Sequence, residues 1–165
     1  MSNPYAAEKL IAQARQLAAE YRRTMGKPLP GISSEIAEHD AVRLLELEPK
    51  TSLETGWDAQ DPATGERIQI KSRTIFDESK SGQRIGQMKT SQDWDAVVLV
   101  LMDENYEPYE IYKATREDLE PFLDASSSSR AKRGAMSVAR FKIVGTLVWD
   151  RVSGREDEVW DNQSD

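Results

Sequence analysis

The chain contains no cysteine. Disulfides and thiolate metal sites are therefore excluded, and the composition suits the cytoplasm. No apolar run approaches the length of a membrane span, and Met1-Ser2-Asn3-Pro4 opens without a signal-peptide pattern. Positive charge is in deficit. Lys and Arg number 22 against 29 Asp and Glu, for a formal net charge of −7. A surface of that sign repels phosphate, which disfavours nucleic-acid binding by the whole surface and leaves a local basic groove open. No internal repeat is visible, and there is a single histidine, His39.

What is present suits one soluble α/β domain. The 165 residues are 38% apolar and 31% charged, enough to enclose a core. We expect a single domain over 1–153, opened by a helical extension over 1–26. The stretch "GREDEVWDNQSD", 154–165, reads as an acidic tail. Leu10, Ala14, Leu17 and Tyr21 recur at helical spacing with Ile11 and Ala18 beside them, which predicts a long amphipathic first helix. That face is expected to pack on the core, or alternatively to form a homodimer. "GKPLPG" breaks the chain. "ISSEIAEHDAVRLLEL" predicts a second helix with Ser33 or Ser34 as N-cap, stopped by Pro49.

The stretch "GWDAQDPATGERIQIKS", 56–72, reads as a hairpin. Pro62 to Gly65 form the loop, and pairing counts outward from Asp61 and Glu66. Ala59 then faces Ile68, Asp58 faces Gln69, and Trp57 faces Ile70. This register puts Trp57, Ala59, Ile68 and Ile70 on one face, and Asp58, Gln60, Arg67, Gln69 and Lys71 on the other. "DAVVLVLM", 95–102, is a continuous apolar run, the mark of a strand covered on both faces. "PYEIYKA" reads as its neighbour across a turn at Asp103 to Asn105. "TREDLEPFL" predicts a short helix with a capping box from Thr115 to Asp118, broken at Pro121. "SSSS", 126–129, is a low-complexity loop, and "RFKIVGTLVW" reads as a late strand. The expected fold is a mixed central sheet flanked by helices.

Asp58, the triplet Gln69-Ile70-Lys71 on the next strand, and a preceding helix with Glu35 together resemble the PD-(D/E)xK nuclease superfamily. Restriction endonucleases and archaeal Holliday-junction resolvases belong to it. The resemblance covers roughly residues 31–112 and implies a restriction-endonuclease-like core. Asp58 matches the motif Asp and Lys71 the motif Lys. Gln69 departs from the usual acid, although some restriction-like branches carry glutamine there. Taken alone, an Asp and a Lys across a hairpin make an ordinary surface ion pair. The element order and Glu35 carry the resemblance beyond that.

The resemblance implies a DNA endonuclease dependent on Mg2+, with Mn2+ as a substitute. Asp58, the Gln69 side-chain oxygen and the Ile70 backbone would hold the ion, with Glu35 contributing directly or through water. Lys71 would position the attacking water or the phosphate. With two carboxylates, one metal ion is expected rather than two. Beside the motif, Arg73, Lys80, Arg84 and Lys89 lie in a glycine-containing stretch read as a mobile loop that contacts the DNA backbone. Arg130, Lys132, Arg133, Arg140 and Lys142 form a second basic group. Glu38 and Glu46 read as solvated helix charges, His39 as a surface residue, and Trp57 as core. The alternative function is a catalytically inactive nuclease-fold protein that binds nucleic acid or a protein partner.

Overall fold

The computed structural model describes residues 4–52, 56–77, 83–89, 91–124 and 136–155. In chain order they form α1 (Pro4–Met25), α2 (Ser33–Leu44), β1 (Glu48–Pro49), β2 (Ala59–Gln60), β3 (Arg67–Thr74), β4 (Arg84–Ile85), β5 (Ala96–Met102) and β6 (Pro108–Thr115). Then come α3 (Arg116–Asp124), β7 (Met136–Ser137), α4 (Val138–Val144), β8 (Thr146–Asp150) and β9 (Gly154–Arg155). Seven strands make one mixed sheet in the order β1-β2-β3-β5-β6-β8-β9. Among the described residues its one parallel pair is β3 with β5. A separate two-stranded ribbon pairs β4 with β7.

Strand β5 is central, and all seven of its residues are buried. Alternation along a strand sends its side chains to two cores. Ala96, Val98, Val100 and Met102 join Ala18 and Ala19 of α1 and Ile36, Ala37 and Ala41 of α2 in the first. Val97, Leu99 and Leu101 join Leu119 and Leu123 of α3 and Val138 and Phe141 of α4 in the second. The sheet thus has helices on both faces, as the continuous apolar run implied. No helix among the described residues is long and apolar enough to cross a membrane.

The hairpin register is the expected one at two pairs, Ala59 opposite Ile68 and Gln60 opposite Arg67; the expected pairs of Asp58 with Gln69 and Trp57 with Ile70 do not form, because β2 ends at Ala59 and Asp58 N–H donates to the Ile68 carbonyl instead. The Asp61 carbonyl accepts from Gly65 N–H at 2.7 Å, and Asp61 N–H donates to the Glu66 carbonyl at 2.9 Å, closing the loop. Gly65 takes φ +78°, which an L side chain would resist. The face assignment fails at Trp57, which packs in the second core while Ala59 and Ile68 lie in the first. Regular alternation stops because the chain bends at Asp58 and Gly56 has φ +98°.

Other expectations change for identifiable reasons. On α1, Leu10 and Leu17 are 64% and 54% exposed, and the buried face centres on Ala18 and Ala19. Small residues there allow close approach to α2. Neither Ser33 nor Ser34 caps α2; Ile32 holds the N-cap position with no side-chain bond. The helix ends before Pro49 in a Schellman turn, with Leu47 N–H donating to the Val42 carbonyl at 3.0 Å and Glu46 left-handed at φ +54°. That turn folds Leu45 and Leu47 back into the first core. The Thr115–Asp118 capping box forms, at 3.1 and 3.2 Å. Helix α3 nevertheless runs through Pro121, with Leu119 and Leu123 buried on either side of it. "RFKIVGTLVW" divides: its first half belongs to α4, N-capped by Ser137 accepting from Arg140 N–H, and Gly145 separates it from β8. The expected tail begins as β9, where Arg155 pairs with Glu46 at 2.9 Å. Residues 156–165 and the serine tract lie outside the described residues.

Candidate functional site

The site is built where β2 gives out. Asp58 N–H donates to the Ile68 carbonyl at 2.8 Å. The Asp58 carboxylate then accepts the Ile70 N–H at 2.8 Å, so a side chain takes the place of a strand neighbour. The Arg67 carbonyl accepts from Asp95 N–H, and Ile75 N–H donates to the Met102 carbonyl, both at 2.8 Å. Odd-numbered residues of this strand therefore turn their main-chain groups toward β5, and even-numbered ones toward Asp58. The Ile70 carbonyl consequently points to the same edge as its N–H, beside Asp58. The Ile70 side chain packs against the first core, partly buried.

Gln69 is only 7% exposed. Its Nε2 donates to the Gly56 carbonyl at 3.0 Å and to Gln92 Oε1 at 3.4 Å. A carbonyl can only accept, so the amide orientation is determined. Gln69 Oε1 is buried without a hydrogen-bond partner. Gly56 is tied to this arrangement twice over. Its φ is positive, and a Cβ there would sit 2.8 Å from Gln92 Cβ.

Lys71 lies two residues along the same face as Gln69, against Gly86, where an added Cβ would be 3.6 Å from Nζ. Burial holds its ammonium below the usual lysine range; Asp58 opposes that shift and Lys89 adds to it. Asp58 and Lys71 are thus electrostatic neighbours, and Lys89 lies close to Lys71. Glu35 is exposed in the first turn of α2. Glu38, three residues on, is half-buried, and burial pushes its carboxyl up, reinforced by Asp58 and Glu35 and opposed by Lys50.

Glu38 is therefore no solvated helix charge, as its sequence context suggests, but joins Glu35 and Asp58 in one acidic neighbourhood. Its spacing of three from Glu35 on a helix is the available signal. Glu35, Glu38 and His39 line a cleft with Leu10, Ile11 and Val42. Among the described residues no group of three His, Cys, Asp or Glu side chains is arranged to hold a metal ion. The oxygens that could serve a hard cation here are one free Asp58 oxygen, Gln69 Oε1 and the Ile70 carbonyl.

The described part of the basic stretch is more fixed than expected. Ile85 and Met88 are buried in the second core, and β4 pairs with β7. Arg73 Nε donates to the Arg84 carbonyl, joining β3 to β4. Lys89 is exposed, and its carbonyl accepts from Trp94 Nε1 at 2.8 Å. Lys80, Arg130, Lys132 and Arg133 lie outside the described residues. Arg140 stacks over Phe122, and Lys142 approaches Glu110 at 3.4 Å. Asp40, which no sequence motif marks, is fully buried and held by Arg15 at 2.8 and 2.7 Å. It ties α1 to α2 and belongs to the fold.

No protein-family model matches the chain, and no curated protein matches it.

Proposed function

We propose that this chain is a divalent-metal-dependent phosphodiesterase acting on DNA in the cytoplasm, built on a restriction-endonuclease-like core. The reading is carried by one observation: the Gln69 carbonyl oxygen is buried and unpartnered on the strand that Asp58 caps and Lys71 follows. A buried polar atom without a partner is costly unless something completes it. Mg2+ or Mn2+ fits the donor set of Asp58, Gln69 Oε1 and the Ile70 carbonyl, with Glu35 or Glu38 acting through water. The chemistry such an ion supplies is a lowered pKa for bound water and neutralised charge on phosphate. Lys71 holds the phosphate or the attacking water as a compact cation. Lys89 and Arg84, with Lys80, hold the DNA backbone, while Arg73 anchors β4. Leu10 and Leu17 on α1 offer a face for a homodimer.

A non-catalytic binding protein is the second reading. It is favoured by the lack of a three-ligand acidic group among the described residues. A groove of about 390 Å³, lined by Leu45, Leu47, Ile68 and Val148 and rimmed by the charged Asp61 and Lys113, also favours it. Cleavage of linear, branched and single-stranded DNA by wild type and Asp58→Ala, with and without magnesium, separates the two. The nuclease reading expects magnesium-dependent cutting that Asp58→Ala abolishes. Wild type that binds DNA and never cuts it establishes the second reading.

A further inference from the structure

We propose that Gly86 is a positioning residue of the candidate site, and that its missing side chain leaves an opening through which a phosphate group reaches the Lys71 ammonium. Most glycines of this chain have a backbone or packing reason. Of the seven described, five take a left-handed φ, and a Cβ on Gly145 would lie 2.9 Å from the Lys113 carbonyl oxygen. Gly86 has neither reason. Its φ lies outside the left-handed region. Among the described residues the one atom within 4 Å of an added Cβ is Lys71 Nζ, at 3.6 Å. That distance is ordinary contact, so the fold accepts alanine there. What a side chain would do is cover the ammonium.

The opening is held from both sides. Gly86 and Gln87 are exposed, while Ile85 before them and Met88 after them are buried in the second core. β4 pairs with β7, and Arg73 Nε donates to the Arg84 carbonyl. The Lys89 carbonyl accepts from Trp94 Nε1 at 2.8 Å and from Gln92 N–H at 3.1 Å. Residues 83–89 are therefore a fixed wall beside the half-buried Lys71, and Gly86 is the place where that wall carries no side chain. The charge beside it favours an anion. Lys89 is exposed and close enough for its charge to act on Lys71, and a phosphate between two ammoniums relieves their repulsion. The opening rests on the placement of Gly86 against Lys71; its use by a DNA phosphate rests on the phosphodiesterase reading.

Gly86→Ala tests whether the glycine serves the fold. Its melting temperature should equal wild type or rise by about 2–4 °C, since alanine restricts the unfolded chain. A melting temperature below wild type makes Gly86 a structural glycine and overturns the inference.

Gly86→Ala and Gly86→Leu then test access to Lys71 with no catalysis involved. The full chain is treated with acetic anhydride, and modification is followed at each lysine by peptide mass spectrometry. Acetylation of Lys71 should slow from glycine to alanine to leucine, by about 10-fold in the leucine variant, while Lys113 and Lys142 keep their wild-type rates. Equal Lys71 rates in the three proteins overturn the opening. Magnesium-dependent DNA cleavage gives the last arm, where Gly86→Leu should lower kcat/KM by about 10-fold or more. Wild-type efficiency in a variant whose Lys71 is shielded from acetylation overturns the role in phosphate entry. Wild type that cuts no DNA overturns the phosphodiesterase reading instead, and the acetylation rates then decide the opening by themselves.

Discussion

Glu38 holds its charge at a cost, because burial and the fields of Asp58 and Glu35 all favour the neutral acid. A carboxyl raised in the folded state contributes most below its unfolded pKa and loses that contribution as pH rises through the folded value. Glu38→Gln should accordingly raise the melting temperature at pH 7 and leave it unchanged at pH 4; a pH series by differential scanning calorimetry checks this. Lys71 has the opposite sign. Its lowered pKa penalises the charged form, and that penalty is relieved as pH climbs toward the ordinary lysine range. In a nuclease Lys71 acts mainly on the transition state. Lys71→Ala should then slow magnesium-dependent cleavage by about 100-fold or more while DNA affinity changes little. In a binding protein it is one phosphate contact. Its loss would lower the slope of log affinity against log salt by about one and leave no rate to change.

At the scale of elements, α1 is joined to the body through a buried pair as well as through its alanines. Arg15 grips both Asp40 oxygens and also donates to the Tyr106 carbonyl at 2.6 Å, so one side chain links α1, α2 and the turn from β5 to β6. Removing Arg15 leaves a fully buried carboxylate with only the more distant Arg43, at 3.7 Å. Arg15→Ala should cost about 3–5 kcal/mol in urea unfolding, whereas replacing both partners by apolar residues of similar size should recover most of it. Helix α4 depends on its cap because it is only seven residues long. Ser137→Ala should cost about 1 kcal/mol, measurable in the same titration.

For the molecule as a whole, β5 is the element on which both layers depend. Its side chains alternate between two cores, and among the described residues no other strand is buried along its entire length. Leu99, fully buried in the second core, tests this coupling. Leu99→Ala should destabilise by about 2–5 kcal/mol. The amides of β5 should remain the slowest to exchange and should accelerate together with those of α2, on the opposite face, when the whole domain opens. Faster exchange confined to α3 and α4 would mean that the two layers open separately.

Rules that act within a few residues are legible in the sequence by itself. The turn chemistry of Pro62 to Gly65 and the alternation beside it determine the register of Ala59 with Ile68. The apolar run at 95–102 determines a covered central strand, and Thr115 with Asp118 determines the start of α3. The candidate set Asp58, Gln69 and Lys71 is legible for the same reason, since one hairpin carries all three. What the sequence leaves undecided depends on partners far along the chain. Trp57 crosses to the second core where the strand ends at Asp58, beside Gly56 with its left-handed φ of +98°. The segment 138–150 is apolar enough for helix or strand, and the packing of Val138 and Phe141 selects helix for its first half. Glu46 accepts a left-handed backbone so that Leu47 can be buried. The Gly56 carbonyl, 13 residues before Gln69, accepts from its Nε2, and that contact, which no local rule encodes, decides which end of the amide is left over.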